Sequence, residues 1–190
     1  PSKSWGQNYL KNRGVIRRIV KALDLVPGTT VIEIGPGRGA LTGPILSTPG
    51  IRYFGIEPHT PSREFLMERF GDRPDTTFLP HDASRFDFAS LNADVTVGNL
   101  PYNVASRILH ALLKSGRAQR RWVLMFQKEM AQRIVSAPNS KSYGALSVGA
   151  QMVTEAKLLF NVSPGSFTPA PKVDSSVVRF TPRPGDDELV

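Results

Sequence analysis

The chain of 190 residues contains no cysteine. This absence excludes a thiol nucleophile, a cysteine-bound zinc ion and an iron–sulfur cluster, and we expect no metal site. The sequence also lacks an apolar run of about 18 residues, which a membrane-spanning helix would need. Its first residues form no apolar signal segment, so the sequence predicts a cytoplasmic protein without a membrane partner.

Acidic residues are scarce in two stretches of the chain. The whole sequence has 24 Lys and Arg against 16 Asp and Glu, a net charge of +8. Residues 1–23 contain no acid, and residues 95–154 contain only Glu129. Basic surfaces attract polyanions, because neutralising phosphates releases counterions. The charge therefore favours a nucleic acid partner over a merely solvated surface, with contacts expected from Arg107, Lys114, Arg117, Arg120, Arg121 and Lys141.

Strand-like and helix-like segments alternate along the chain. Short apolar runs typical of strands lie at 30–34, 52–56, 77–79, 94–98, 122–126, 157–160 and 176–180. Helical periodicity occupies 13–24, 62–70, 104–113 and 144–153, and a further helix begins near Lys128. The alternation predicts one α/β domain over residues 1–190, with a doubly wound, mainly parallel sheet of seven strands. Ligands of such sheets bind beyond the carboxyl ends of the strands.

A glycine-rich turn, Gly35-Pro-Gly-Arg-Gly39, follows the first of these strands. Glycine lets the backbone approach a ligand closely. Glu57 follows Gly35 by 22 residues and ends the next strand, where an acid can accept hydrogen bonds from ribose hydroxyls. The pattern indicates a nucleoside-containing cofactor, but Gly35-x-Gly37-x-x-Ala40 also fits the dinucleotide fingerprint.

Two acids favour S-adenosylmethionine (SAM) over a dinucleotide. Glu33, inside the strand end, would be poorly placed beside a pyrophosphate, whereas SAM carries a sulfonium and an ammonium group and no phosphate. Asp82, at the third strand end, would accept a hydrogen bond from the adenine amine. The ordinary alternatives are a surface position for Glu33 and a helix cap for Asp82.

The sequence Asn99-Leu-Pro-Tyr-Asn103 follows the fourth strand. The side-chain carbonyl of Asn99 and the backbone carbonyl of Leu100, kept out of a helix by Pro101, are adjacent acceptors that suit an exocyclic amino group. Tyr102 offers a flat face for a purine, worth about 1–3 kcal/mol. These features predict a holder for a flipped-out adenine, since hydrogen bonds to both N–H groups stabilise the charge that develops on a methylated nitrogen. A proline turn with a packed tyrosine is the ordinary alternative.

These motifs resemble the ribosomal RNA adenine dimethyltransferase family that acts on the small subunit. The resemblance rests on segments that span nearly the whole chain: 6–10, 33–42, 82–83, 99–103, 127–129, 138–147 and 166–173. It implies a class I SAM-dependent methyltransferase with a Rossmann-like fold. It also implies dimethylation of the N6 amino groups of two adjacent adenosines in a hairpin loop of small-subunit ribosomal RNA (rRNA), during ribosome biogenesis.

The same resemblance implies a role for each matching residue. Gln7, Asn8 and Leu10 would lie over SAM, and Gly35 and Gly37 would cradle its methionine part. Glu57 would hold the ribose and Asp82 the adenine amine. The target adenine would be held by Asn99, which also borders SAM, and by Leu100, Pro101 and Tyr102, with Phe167 stacked on its other face.

The chain departs from the family pattern in three places. Tyr9 stands where the family usually has phenylalanine, and Pro58-His59 follows Glu57 where an aliphatic or acidic residue is more common. The family's helical C-terminal domain is expected to be absent, which would leave the catalytic domain alone.

Two other functions fit the same fold. One is an Erm-type methyltransferase of large-subunit rRNA, and the other is a non-catalytic RNA-binding assembly or transcription factor. Residues 138–147 and Leu100 favour the small-subunit enzyme, and Asn99, Tyr102, Glu57 and Asp82 favour catalysis. We expect a monomer whose partner is small-subunit rRNA or a pre-ribosomal particle.

Overall fold

The computed structural model describes residues 8–115 and 118–183, so the predictions for Gln7 and Arg117 lie outside the described residues. A seven-stranded sheet is formed by β2 (Thr30–Ile34), β3 (Arg52–Ile56), β4 (Thr76–Leu79), β5 (Val95–Asn99), β6 (Arg121–Gln127), β7 (Thr154–Val162) and β9 (Ser175–Pro182). The helices are α1 (Arg13–Leu23), α2 (Thr42–Leu46), α3 (Thr60–Phe70), α4 (Ala105–Ser115), α5 (Lys128–Ile134) and α6 (Ala145–Val153). None of these helices is long and apolar enough to cross a membrane.

The order of the strands in the sheet places a switch point at β2. The order is β4-β3-β2-β5-β6-β9-β7. The first five strands in this order run parallel to one another, and β9 is antiparallel to both of its neighbours, β6 and β7. The chain therefore winds outward from β2 in both directions, and the carboxyl ends of β2, β3 and β5 meet at one edge, where such sheets bind ligands. The predicted doubly wound, mainly parallel sheet of seven strands is confirmed.

Strand β6 shows why the central strands have continuous apolar sequences. Trp122, Leu124 and Phe126 belong to the core on one face of the sheet, and Val123 and Met125 belong to the core on the other. Successive side chains of a strand point to opposite faces, so a strand covered on both faces has no polar alternation. Helices α4, α5 and α6 contribute to the first core, and α1, α2 and α3 contribute to the second.

Helix α1 is held at both of its ends. The Asn12 side chain accepts hydrogen bonds from the first-turn amides of Gly14 and Val15, which is the usual role of an N-cap asparagine. At the other end, Arg121 donates to the Ala22 carbonyl at 3.1 Å, and Arg120 donates to the Asp24 carbonyl at 3.0 Å. These arginines stand at the amino end of β6, so they attach α1 to the sheet edge opposite the carboxyl ends.

Two short strands were missed by the sequence analysis. The first, β1 (Tyr9–Leu10), pairs antiparallel with β8 (Phe167–Thr168) outside the main sheet. The pair is reinforced because the amides of Lys11 and Asn12 both donate to the Ser166 carbonyl, at 2.9 and 3.3 Å. Two-residue strands carry no alternation that a sequence pattern could reveal.

Gly39, the last residue of the glycine turn, packs closely against the Phe70 ring, so a substitution there tests this packing. Its φ is +79°, and a Cβ atom at this position would lie 2.6 Å from Cε2 of the buried Phe70 ring. Alanine would add a backbone cost of about 1–2 kcal/mol and an overpacking cost of about 1–3 kcal/mol. We expect Gly39→Ala to lower the free energy of unfolding by about 2–5 kcal/mol, measured by urea denaturation.

Gly28 supplies the matched control. Its φ is +88°, yet a Cβ atom there would meet nothing within 4 Å. Gly28→Ala should therefore show the backbone cost alone. Equal losses in the two variants would contradict the overlap with Phe70.

Candidate active site at the carboxyl edge of the sheet

Two adjoining pockets open at the carboxyl ends of β2, β3 and β5, and they share Gly35 and Pro101. The Asn99 pocket is bounded by residues 8–10, the glycine turn and residues 99–102. The Glu57 pocket is bounded mainly by residues 56–58, 82–83, 103–104 and 107–108. The cleft brings together the following residues predicted from the sequence: Asn8, Leu10, Gly35, Gly37, Glu57, Asp82, Asn99, Leu100, Pro101 and Tyr102.

Glu57 is fully buried at the end of β3, and its carboxylate joins two loops. Oε2 accepts a hydrogen bond from the Gly37 amide at 3.1 Å, and Oε1 accepts one from the His59 amide at 3.0 Å. Burial raises the pKa of Glu57 above its ordinary value, although these two bonds oppose the rise. Each carboxylate oxygen keeps a further lone pair, so the group can also accept hydrogen bonds from a ligand.

Glu33 lies inside the sheet, near the end of β2, and is only 2% exposed. Its Oε2 accepts hydrogen bonds from the Tyr53 hydroxyl at 2.6 Å and from the Thr42 hydroxyl at 2.7 Å. Burial raises the pKa of Glu33 to about 7, even though both hydroxyls lower it. The surface position considered for Glu33 is therefore wrong. The residue also lines the Asn99 pocket.

Asp82 performs the capping role that the sequence left open. Its Oδ1 accepts a hydrogen bond at 2.9 Å from the Ser84 amide, at the start of a short 3₁₀ turn. Burial alone would raise the pKa of Asp82, but the Ser84 bond and the charges of Arg85 and Arg107 outweigh it and hold the pKa below its ordinary value. Asp82 also lines the Glu57 pocket.

The Asn99 amide has a fixed orientation. Its Nδ2 donates a hydrogen bond at 2.9 Å to the backbone carbonyl of Asn8. This bond uses one of the two N–H donors of the amide and fixes which end of the group is Oδ1, which remains an acceptor. The Leu100 carbonyl accepts no hydrogen bond from residues 8–115 or 118–183. The two acceptors that the sequence predicted at this strand end are therefore both available.

Two aromatic residues predicted to stack on a base have different surroundings. Tyr102 is half-buried, lines the Asn99 pocket, and has its hydroxyl 2.8 Å from the Ser175 hydroxyl. Phe167 is 2% exposed and packs in the same core cluster as Leu10. The described lining of the two pockets does not include Phe167. Its stacking role stays a prediction that this conformation does not support.

The basic residues predicted to contact RNA are widely separated. Arg107 lines the Glu57 pocket. Lys114 and Lys141 are exposed, and neither belongs to the described lining of the two pockets. Arg120 and Arg121 cap α1 at the opposite edge of the sheet. Of the described residues in this set, the structure brings Arg107 alone to the cleft, and RNA contact stays a prediction for all of them.

Arg38 was missed by the sequence analysis. It is exposed within the glycine turn, it lines the Asn99 pocket, and its guanidinium carbon lies 4.7 Å from the centre of the Tyr9 ring. A cation over an aromatic face is attracted by the ring quadrupole. The only sequence signal was a basic residue between the glycines of a ligand-binding turn.

The parallel sheet, the glycine turn after β2 and the acid at the end of β3 define the fold of a SAM-dependent methyltransferase. A family model described as ribosomal RNA adenine dimethylase matches residues 2–189. The chain belongs to this ribosomal RNA adenine dimethylase family.

Curated relatives agree with the family. The chain is 42% identical over 186 residues to a ribosomal RNA small subunit methyltransferase A of Aromatoleum aromaticum, covering 97% of this chain and 69% of the relative. It is 43% identical over 185 residues to a protein of that name from Nitratidesulfovibrio vulgaris, covering 95% and 70%. The chain thus spans slightly more than two thirds of the length of these two relatives.

Solved structures match the fold closely. A dimethyladenosine transferase from Plasmodium falciparum superposes with a TM-score of 0.84 at 28% identity, over 92% of this chain and 63% of that one. The 23S rRNA methyltransferase ErmE superposes with a TM-score of 0.79 at 25% identity, over 93% and 70%.

The burial of Glu33 predicts a pH-dependent stability. Its pKa is about 7 in the folded chain, against an ordinary value of 4.5. Between these values the unfolded chain releases a proton that the folded chain keeps, so stability falls as the pH rises. The total loss from this residue is about 3 kcal/mol, from 1.36 kcal/mol per unit of pKa. Glu33→Gln should remove this loss, measured by urea unfolding from pH 4.5 to 7.5.

The contribution of Glu33 is the difference between the pH profiles of unfolding free energy for wild type and Glu33→Gln. The difference is needed because Glu57 also has a raised pKa and contributes to both profiles. Glu68, an exposed residue of α3, offers a control: Glu68→Gln should leave the wild-type slope intact. Parallel pH profiles for wild type and Glu33→Gln would contradict the raised pKa.

Proposed function

We propose that this chain transfers methyl groups from SAM to the N6 amino groups of two adjacent adenosines in small-subunit rRNA. The observation that carries the proposal is the fixed Asn99 amide. Its Nδ2 is bonded to the Asn8 carbonyl, so its Oδ1, together with the Leu100 carbonyl, offers two acceptors beside the Tyr102 ring. An exocyclic amine of a purine has two N–H donors and a flat ring, and fits this arrangement.

The Glu57 pocket fits the adenosine part of SAM. A carboxylate at the end of β3 suits ribose hydroxyls, which would donate hydrogen bonds to it, and the Asp82 carboxylate would accept one from the adenine amine. A Cβ atom at Gly35 would meet no protein atom within 4 Å, so the backbone there is open to the cleft. SAM, when bound, supplies an electrophilic methyl group on a sulfonium.

The Asn99 pocket then receives the target base. The Asn99 and Leu100 carbonyls accept from the two N–H groups of the adenine amine and stabilise the positive charge that develops on its nitrogen. Tyr102 supplies the stacking face and fixes the direction of approach. No strong base is needed, since the methylated ammonium loses its proton readily to solvent.

The rRNA substrate is supported by the charge and by the relatives. The net charge of +8 favours a polyanion, and Arg107 and Arg38 stand at the two pockets. The small subunit is favoured because relatives at 42% and 43% identity carry that subunit in their names, whereas ErmE, named for 23S rRNA, shares 25%. The monomeric state and the cytoplasmic location stay predictions.

The ribose role of Glu57 predicts a loss of cofactor affinity. Glu57→Gln keeps the shape of the side chain but removes a charge-assisted hydrogen bond worth about 1.5–3 kcal/mol. We expect SAM affinity to fall by about ten- to a hundredfold, measured by titration calorimetry. Glu64→Gln, on the exposed surface of α3, should bind SAM like the wild type. Unchanged affinity in Glu57→Gln would exclude the ribose role.

The function itself predicts a specific product. Small-subunit particles that lack the modification are incubated with the chain and SAM carrying a labelled methyl group, and nucleosides are identified by mass spectrometry. We expect N6,N6-dimethyladenosine at two adjacent positions, and a loss of at least a hundredfold in rate for Asn99→Ala, typical of removing a preorganised polar contact to a transition state (about 10²–10³-fold).

Large-subunit particles serve as the parallel substrate. Methylation of those particles in preference to small-subunit particles would favour the Erm-type function. SAM binding and RNA binding without any methyl transfer would instead favour the non-catalytic role.

A further inference from the structure

A hydrogen bond connects the hydroxyl of Tyr102, on the loop after β5, to the first residue of β9. Ser175 begins β9, is completely buried, and places its hydroxyl oxygen 2.8 Å from that of Tyr102. The two residues are 73 positions apart in the chain. The Tyr102 ring lines the Asn99 pocket, while its hydroxyl is occupied at β9. The hydroxyl is therefore engaged with Ser175, which leaves the ring of Tyr102 to stack on a base in the pocket.

The backbone of Ser175 is held in place by the two strands on either side of it. Its backbone lies between two strands, opposite Gln127 of β6 and Val162 of β7. The preceding residue, Asp174, accepts a hydrogen bond at 2.9 Å from the Lys128 amide, and its side chain pairs with that lysine at 3.9 Å. A residue held on both sides in the sheet provides a fixed anchor for a ring that stands on a loop.

We propose that Ser175 is a positioning residue that fixes the plane of the Tyr102 ring for stacking on the target adenine. This role rests on the proposed function. A tyrosine on a loop can rotate about two side-chain bonds, and a hydrogen bond at the tip of the ring removes that freedom before the base arrives. Binding then does not have to order the ring, which is the benefit of preorganisation.

The test uses Ser175→Ala, Tyr102→Phe and the double variant. Both single variants keep the ring and remove the same hydrogen bond, so each should lower kcat/KM by a similar factor of about two- to tenfold, the usual worth of one hydrogen bond. The double variant should lose no more than either single variant, because the two residues act through one contact. SAM affinity should stay at the wild-type value in all three.

Ser176 is the matched control on the same strand. It is also completely buried, and its hydroxyl donates to the Asn161 side chain at 2.7 Å; within the described part of the chain, the Tyr102 hydroxyl pairs with Ser175 and not with Ser176. Ser176→Ala removes a comparable buried hydrogen bond from β9. It should lower the free energy of unfolding without lowering kcat/KM.

A second readout reports stacking without methyl transfer. An RNA hairpin carries 2-aminopurine in place of the target adenosine; this base lacks the N6 amine, and its fluorescence is quenched when it stacks. Wild type and Ser176→Ala should quench the signal, and Ser175→Ala and Tyr102→Phe should quench it less at saturating protein.

Any of three results in the variants would overturn the proposal: wild-type quenching in Ser175→Ala, equal loss of kcat/KM in Ser176→Ala, or additive losses in the double variant. A wild-type chain that binds this hairpin without quenching would overturn it too. A wild-type chain that transfers no methyl group contradicts the proposed function instead, and the quenching comparison then decides the role of Ser175 by itself.

Discussion

The buried carboxylate of Glu57 is the contact on which the geometry of the cleft depends. It accepts one hydrogen bond from the Gly37 amide in the glycine turn after β2 and another from the His59 amide in the loop after β3. The carboxylate thereby connects two neighbouring strand ends. Gly35 and Pro101 belong to both pockets, and the position of the glycine turn therefore sets the width of each. The two amide donors oppose the rise in pKa that burial causes, and Glu57 lines the pocket in which a ligand would bind.

Much of this arrangement could be predicted from the sequence, because the relevant signals are local. Strands β2 and β3 have the predicted bounds, since each is a short β-branched or aromatic run next to a glycine or proline turn. Once the sheet is known to be parallel, topology alone brings Glu57, Asp82 and Asn99 to one edge. The chemistry of these residues then indicates a nucleoside ligand and acceptors for the exocyclic amine of a purine, and the family match agrees with both.

The contacts that could not be predicted join residues far apart in the chain. Nothing near Tyr102 indicates that its hydroxyl would meet Ser175, and nothing near Asn8 indicates a bond to Asn99. Charge alone does not define an RNA surface, because a basic residue can bind a phosphate but can equally cap a helix, as Arg120 and Arg121 do for α1. A count of charges does not say toward which partner a side chain points.

The pairing of β1 with β8 has a consequence for the order in which the cleft is completed. Tyr9 lies opposite Thr168, so this contact closes a loop that contains most of the chain. Contacts of such high sequence separation form late, because the entropy of closing the loop must be offset by structure already in place. During synthesis, the segment that carries Asn8 has no strand to pair with until Thr168 has left the ribosome. The parallel strands β2 to β6 and the glycine turn can therefore assemble on the nascent chain well before Asn99 acquires the partner that orients its amide.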